Sequence, residues 1–265
     1  MAADPLEGLM TMKSIDQERM LLMVLWALLI GLFGVWPELD VWVSRHFYVP
    51  GEGFPARQWA WLVAFDKAVP WVGRALLLGA LAVIVWSWWR LRRQSSEVGH
   101  TRPPVWRHTW RRSAALVLTL VLGLGAVVHS VFKDNWGRAR PDAVQVFGGP
   151  ERFTGPLVPT NGCKRNCSFV SGHAATGFAL MAVGILGSKP RRRRWLLIGI
   201  AAGLIIGMVR IVFGRHFLSD ILFGWALMWT VALLVRWAWL GSSRRRQLRL
   251  KLVKGHHNLF MKRST

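Results

Sequence analysis

Negative charge is scarce in this chain. Its 265 residues hold 13 Asp and Glu against 35 Lys and Arg, a formal net charge of +22. The few carboxylates form no cluster of the kind that holds catalytic divalent cations, which argues against metal-dependent chemistry. Cysteine is scarcer still: Cys163 and Cys167 are the only two, too few thiols for a structural zinc site. No internal repeat or long low-complexity segment occurs, so a solenoid reading has no support. No A-x-A cleavage signal follows the first apolar run, which is therefore expected to be a retained signal anchor rather than a removed signal peptide.

Apolar sequence is what the chain has in quantity. Hydrophobic residues make up 52% and mean hydropathy is +0.29. Several runs approach the ~20 residues needed to cross a bilayer. Six candidate spans follow: Met20–Trp36, Pro70–Trp89, Ser113–Phe132, Ser171–Gly187, Trp195–Phe213 and Asp220–Leu240. The expected fold is all-α, a polytopic membrane bundle of six transmembrane helices. Residues 1–19 precede it as a cytoplasmic segment, 20–240 form the membrane domain, and 241–265 are a basic cytoplasmic tail.

The basic residues set the orientation. Of the 35, 22 fall in the four segments that alternate onto one side, and 11 in the opposite ones. The positive-inside bias then puts both termini in the cytoplasm. A polybasic tail beside a span is expected to meet anionic lipid, so no nucleic-acid partner is inferred despite the charge. Tryptophans flank both proposed boundaries, among them Trp86, Trp88 and Trp89 on one side and Trp36, Trp42 and Trp59 on the other. Such belts mark membrane interfaces.

Polar residues concentrate in three clusters at the ends of apolar runs. The first is Lys133-Asp-Asn-Trp-Gly-Arg-Ala-Arg140-Pro141, the second Ser171-Gly172-His173, and the third runs from Arg210 through His216 to Asp220. The topology brings all of them to the outer face. Their inventory suits a phosphoryl group. His216 can attack phosphorus through a neutral ring nitrogen. Asp220, four residues on, can take the other ring N–H and fix the tautomer. His173 can protonate a leaving oxygen and later activate water. Lys133, Arg140 and Arg210 can neutralise phosphoryl oxygens. Ser171 and Gly172 open a helix whose free N–H groups favour an anion. Arg138 and Arg215 add charge nearby and are weighed as further phosphate contacts; His129, one turn before Lys133, is read as a buried histidine, with a place facing the site as the alternative. The scheme needs no metal and no cofactor. A transporter is the reading from another class, since it too would carry intramembrane charge.

These motifs, K-x6-R-P, S-G-H and R-x5-H-x3-D, resemble the three signatures of the type 2 phosphatidic acid phosphatase superfamily. The likeness covers the chain from the third span to the sixth. It departs at Val170 and Val209, where the family usually has Pro and often Ser. The resemblance implies a membrane lipid phosphatase whose substrate is a lipid phosphate, with the residues above in the roles given. The stretches Gly137-Arg-Ala-Arg-Pro, Val146-Phe-Gly-Gly and Cys163-Lys-Arg-Asn-Cys-Ser-Phe-Val-Ser-Gly-His are similar to the bacterial branch that includes lipid A phosphatases, particularly those acting at the 4′ position. That branch implies the inner membrane, with the site facing the periplasm. Undecaprenyl diphosphate or phosphatidylglycerol phosphate phosphatases share the same core, as would a lipid-to-lipid phosphotransferase. Cys163 and Cys167 fall on the outer side and are expected to bond to each other, free thiols being the alternative.

Overall fold

The structure is a computed structural model that describes residues 5–94 and 105–261, with side chains at 17–93 and 109–239. It is all-helical: among the described residues, β-pairing is limited to two isolated bridges. The helices are α1 (Pro5–Val35), α2 (Leu39–Arg45), α3 (Ala60–Gln94), α4 (Val105–Thr119), α5 (Gly172–Phe178), α6 (Lys189–Val212) and α7 (Leu218–Met261). A π-helical stretch, Leu120–Lys133, continues α4, and 3-10 turns, Ala179–Gly184, continue α5. The basic tail belongs to α7 as far as Met261. Its side chains, and those of the basic connection 94–108, lie outside the described residues.

Among the described residues, five helices are long and apolar enough to cross a membrane: Gln17–Val35, Ala60–Arg93, Thr109–Lys133, Lys189–Val212 and Leu218–Trp239. The exception is the expected fourth span. Ser171–Gly187 folds as the short α5 and its 3-10 continuation, with Ala174, Ala175, Phe178, Ala179 and Ala182 at most 1% exposed. Most of this segment is enclosed by other helices, so it needs neither the length nor the uniform apolarity of a lipid-facing helix. The second span starts ten residues earlier than expected, because Pro70 lies inside α3 instead of opening it. Membrane helices tolerate such prolines when neighbouring groups satisfy the freed carbonyl.

The glycine stripe of α6 is a packing surface. A Cβ at Gly203 would lie 2.2 Å from the Phe178 ring, one at Gly199 2.8 Å from the Met181 backbone, and one at Gly207 2.4 Å from Ile221. Small residues here let α5 and α7 approach α6 at backbone distance. At the end of the bundle remote from the polar clusters, Glu18 of α1 accepts from Arg192 of α6 at 3.0 Å and from Arg236 of α7 at 2.5 Å. This carboxylate ties three helices together and accounts for Arg236, a charge the sequence left inside a span.

Candidate active site

The third cluster is built on a reversal of the chain. Helix α6 ends at Val212, and Gly214 adopts a left-handed φ of +58°. Its N–H bonds the Ile211 carbonyl at 2.7 Å, and the Arg215 N–H bonds that of Arg210 at 2.9 Å, capping α6. The turn directs His216 inward just before α7 begins. Asp220 lies in the first turn of α7, where its Oδ2 accepts the Phe217 N–H at 2.9 Å. The same oxygen lies 3.4 Å from His216 Nδ1, so the spacing of four residues does bring imidazole and carboxylate together.

Asp220 is held from several sides, all of them buried. Ser168 donates to its Oδ2 at 2.5 Å and Arg138 Nη1 to its Oδ1 at 2.6 Å. Arg138 is itself wholly buried. Its Nη2 bonds Asp40 at 2.7 Å, its Nη1 Ser219 at 2.8 Å and its Nε the Thr154 carbonyl at 3.0 Å. Four of its five N–H groups are thus engaged within the protein, and the side chain is closed off from the cavity. Its work is to hold Asp220 and to join α2 to α7. Arg215, the other cation weighed for phosphate, pairs with Asp142 at 3.2 Å, as does Arg57 at 2.7 Å.

The motif cations surround the imidazole differently. Lys133, 5% exposed, donates from Nζ to Asn166 Oδ1 at 3.0 Å. Arg140 donates to the Asn166 carbonyl at 2.8 Å. Arg210 bonds Asp66 of α3 through Nη1 at 2.7 Å. The other Asp66 oxygen stands 3.8 Å from His173 Nε2. Ser171 caps α5, its Oγ accepting the Ala174 N–H at 3.4 Å, and its own N–H bonds the Asp220 carbonyl at 3.1 Å. A Cβ at Gly172 would lie 3.2 Å from Lys133 Cε, so glycine lets the start of α5 close on that side chain. All eight expected site residues thus gather at one end of the bundle. Cys163 and Cys167 are disulfide-bonded beside them.

Several buried polar atoms have no hydrogen-bond partner, and His216 Nε2, Arg210 Nε and Asp66 Oδ1 are among them. Buried polar atoms are ordinarily paired, and exceptions concentrate where a ligand or a reaction uses them. A cavity of about 610 Å³ opens here. Apolar residues of α3 and the π-helical stretch, such as Val69, Leu77 and Leu124, line its length, and Lys133, Asn166 and His173 close its polar end. His129 lies on the same wall, exposed to the cavity rather than buried as expected. Among the described residues, no group of three or more His, Cys, Asp or Glu is placed to hold a metal ion.

Burial holds the His216 imidazole well below its ordinary pKa of 6.5; the hydrogen bond to Asp220 opposes this, and the charges of Lys133 and Arg210 reinforce it. The ring is therefore neutral at neutral pH. If neutral His216 is the reactive form, activity is lost only as pH falls through that depressed value. We expect the acid limb of the kcat profile that belongs to His216 to lie below 6.5. A limb that tracks His216 at or above the ordinary value would contradict the buried setting.

Sequence reasoning missed Asp40, Asp66, Ser168 and Asn166. A signal for the first two existed. In a chain so poor in acids, a carboxylate inside an apolar stretch marks the partner of a buried cation.

Apolar helices around a cavity that ends in cations and paired histidines make a membrane protein that handles anions. Comparison with known proteins narrows this. A family described as the PAP2 superfamily matches residues 114–244. A protein of Rhizobium leguminosarum named lipid A 4′-phosphatase is 30% identical over 218 residues, 78% of this chain and 89% of that one. One of the same name from Rhizobium etli is 28% identical over 227 residues, 78% of this chain and 81% of the relative. A third, from Francisella tularensis subsp. novicida, is 39% identical over 109 residues, which span 41% of this chain and about half (49%) of that protein. No solved structure matches the chain. The molecule is thus a membrane phosphatase by class. It belongs to the PAP2 superfamily, in the branch of the lipid A 4′-phosphatases.

Proposed function

We propose that this phosphatase hydrolyses a lipid phosphate on the periplasmic leaflet of the inner membrane, and that the substrate is the 4′-phosphate of lipid A. One observation carries the reaction: His216 has one ring nitrogen against Asp220 and the other buried without a partner, with the charges of Lys133 and Arg210 bearing on the ring. Asp220 already accepts from Ser168 and from the Phe217 N–H, so it is an acceptor and Nδ1 carries the proton. The lone pair is then on Nε2. It attacks phosphorus, the P–O bond to the lipid breaks, and a phosphohistidine forms. His173 gives its proton to the leaving alkoxide. It next takes a proton from water, which attacks the phosphohistidine and releases inorganic phosphate. Lys133, Arg140 and Arg210 balance the charge on the transferring group, and the N–H of Gly172 adds to them, the Ser171 N–H being held by the Asp220 carbonyl. No step draws on a metal ion or a cofactor.

The names of the relatives support the lipid, and the mostly apolar cavity beside the cations supports an amphiphile. The register of α5 against α6 supports a sixth crossing. Phe178 meets Gly203, Met181 meets Gly199, and Gly184 meets Trp195. The segment therefore runs antiparallel to α6 from the polar clusters toward the Lys189 end, a short crossing enclosed by longer ones. With six crossings, both termini lie on the side that carries most of the basic charge, and the site faces the other.

Phosphate release by the purified protein in detergent with EDTA tests this reading. Lipid A, undecaprenyl diphosphate, phosphatidylglycerol phosphate and phosphatidic acid would be compared, with His216→Ala alongside. We expect release from lipid A, from the 4′ position, that EDTA spares and the substitution removes. Release from another lipid alone would move the substrate. Release only when a second lipid is present as acceptor would make the enzyme a phosphotransferase. Solute transport that survives in His216→Ala would revive the transporter.

A further inference from the structure

We propose that Asn166, carried on the ring closed by Cys163 and Cys167, is a further phosphate-binding residue, and that the ring exists to hold it there. This rests on the phosphatase reading above and adds to its site a residue outside the three motifs. Among the described residues, Asn166 alone bonds two motif cations at once, accepting from Lys133 on its side-chain oxygen and from Arg140 on its carbonyl. Once Oδ1 is committed to Lys133, the amide Nδ2 remains as a donor. Asn166 lines the polar end of the cavity with Lys133, Gly172 and His173. A neutral amide here orients the ammonium without cancelling its charge and presents its own N–H groups to a phosphoryl oxygen.

The backbone explains the ring. Asn166 has a left-handed φ of +51°. Asparagine tolerates this conformation better than most residues. Just after it, the Cys167 N–H bonds the Lys133 carbonyl at 2.9 Å, and the Ser168 N–H bonds that of Arg138 at 2.9 Å. The disulfide closes four residues back at Cys163, so Asn166 is pinned between a covalent link and two backbone bonds. Lys164, Arg165 and Asn166 are all exposed, and what sets Asn166 apart within the ring is its bonds to Lys133 and Arg140. The strap continues through Ser168, on Asp220, to Ser171, on the Asp220 carbonyl. One short segment thus ties the first cluster to the third on its way to the second.

The test is binding of inorganic phosphate by calorimetry, which needs no turnover, together with steady-state kinetics on the lipid substrate. The variants are Asn166→Ala, Asn166→Asp, Cys163→Ala/Cys167→Ala, that pair combined with Asn166→Ala, and Lys133→Ala with and without Asn166→Ala. Hydrogen bonds to charged groups are worth about 10- to 100-fold in affinity, and we expect Asn166→Ala to weaken phosphate binding and raise KM by about that factor. Asn166→Asp should be worse than Ala, because a carboxylate neutralises Lys133 and repels the ligand. If the residue only anchored Lys133, Asn166→Ala would cost nothing further in a Lys133→Ala background, whereas a direct phosphate contact keeps its own loss there, so that cycle separates the two roles. Removing the disulfide should reproduce the Ala effect, and the combination should lose no more than either alone. Phosphate binding by Asn166→Asp equal to or tighter than by Asn166→Ala would overturn the proposal, as would additive losses. Failure of the wild type to cleave any lipid would count against the phosphatase reading alone, since the calorimetry would still report on Asn166.

Discussion

Replacing His216 with alanine should lower phosphate release by at least ~10²-fold, the size expected when a group acting directly in proton or phosphoryl transfer is lost. Nothing else among the described residues combines burial, a free ring nitrogen and a carboxylate partner in the same way. His216→Ala should also leave no acid-labile phosphoenzyme after brief exposure to labelled substrate. Asp220→Ala and His173→Ala should reduce turnover by a similar factor through different routes. Without Asp220, the proton on Nδ1 loses its acceptor and the charged ring its counterion. Without His173, both half-reactions lose their proton carrier, but an activated ester with a good leaving group should still phosphorylate His216 in the first one. An enzyme that accumulates phosphohistidine from such an ester and then stalls would separate His173 from His216 by role. Turnover near wild type in any of the three would remove that residue from its assignment.

The parts of this site that were legible in the sequence are those whose meaning depends on local spacing. His216 and Asp220 are four apart, Lys133 and Arg140 seven apart, and Ser171 to His173 contiguous. Charge asymmetry across the apolar runs brought them to one end without any contact information. What stayed hidden depends on partners far away in the chain. Asp66 meets Arg210 across 144 positions, and Asp40 meets Arg138 across 98. No periodicity encodes such pairs. Pro70 concealed Asp66 further, by suggesting a helix that starts after it. The fourth expected span differs from the other five for a related reason. Hydropathy reports what a lipid-facing helix needs, whereas Ser171–Gly187 is mostly walled in by protein and packs through Gly and Ala. Arg138 and Arg140, two residues apart and alike in composition, could not be told apart until their surroundings were known.

That distinction leads to the largest expected effect on stability. Arg138→Ala would strand two buried carboxylates, Asp40 and Asp220, both 0% exposed, along with the Thr154 carbonyl. Breaking a buried ion pair from one side costs about 3–5 kcal/mol, because the remaining charge has no compensation. In a domain of this size each kcal/mol is worth about 2–4 °C, so melting in detergent should fall by roughly 10 °C. Activity should fall too, since Asp220 loses a donor that holds it beside His216. Arg138→Lys should recover little of either: one ammonium cannot span both carboxylates and the carbonyl as the guanidinium fork does. Arg140→Ala should show the opposite balance. Its side chain is half-buried, it bonds a backbone carbonyl at the loop, and no carboxylate depends on it. Melting should therefore stay near wild type while phosphate binding weakens. Adding Asp40→Asn to Arg138→Ala removes one of the stranded charges and should restore part of the lost melting temperature without restoring turnover. If Arg138→Ala melted and turned over like the wild type, the buried network would be incidental to both fold and site. A loss of turnover at unchanged melting would instead confine its role to orienting Asp220.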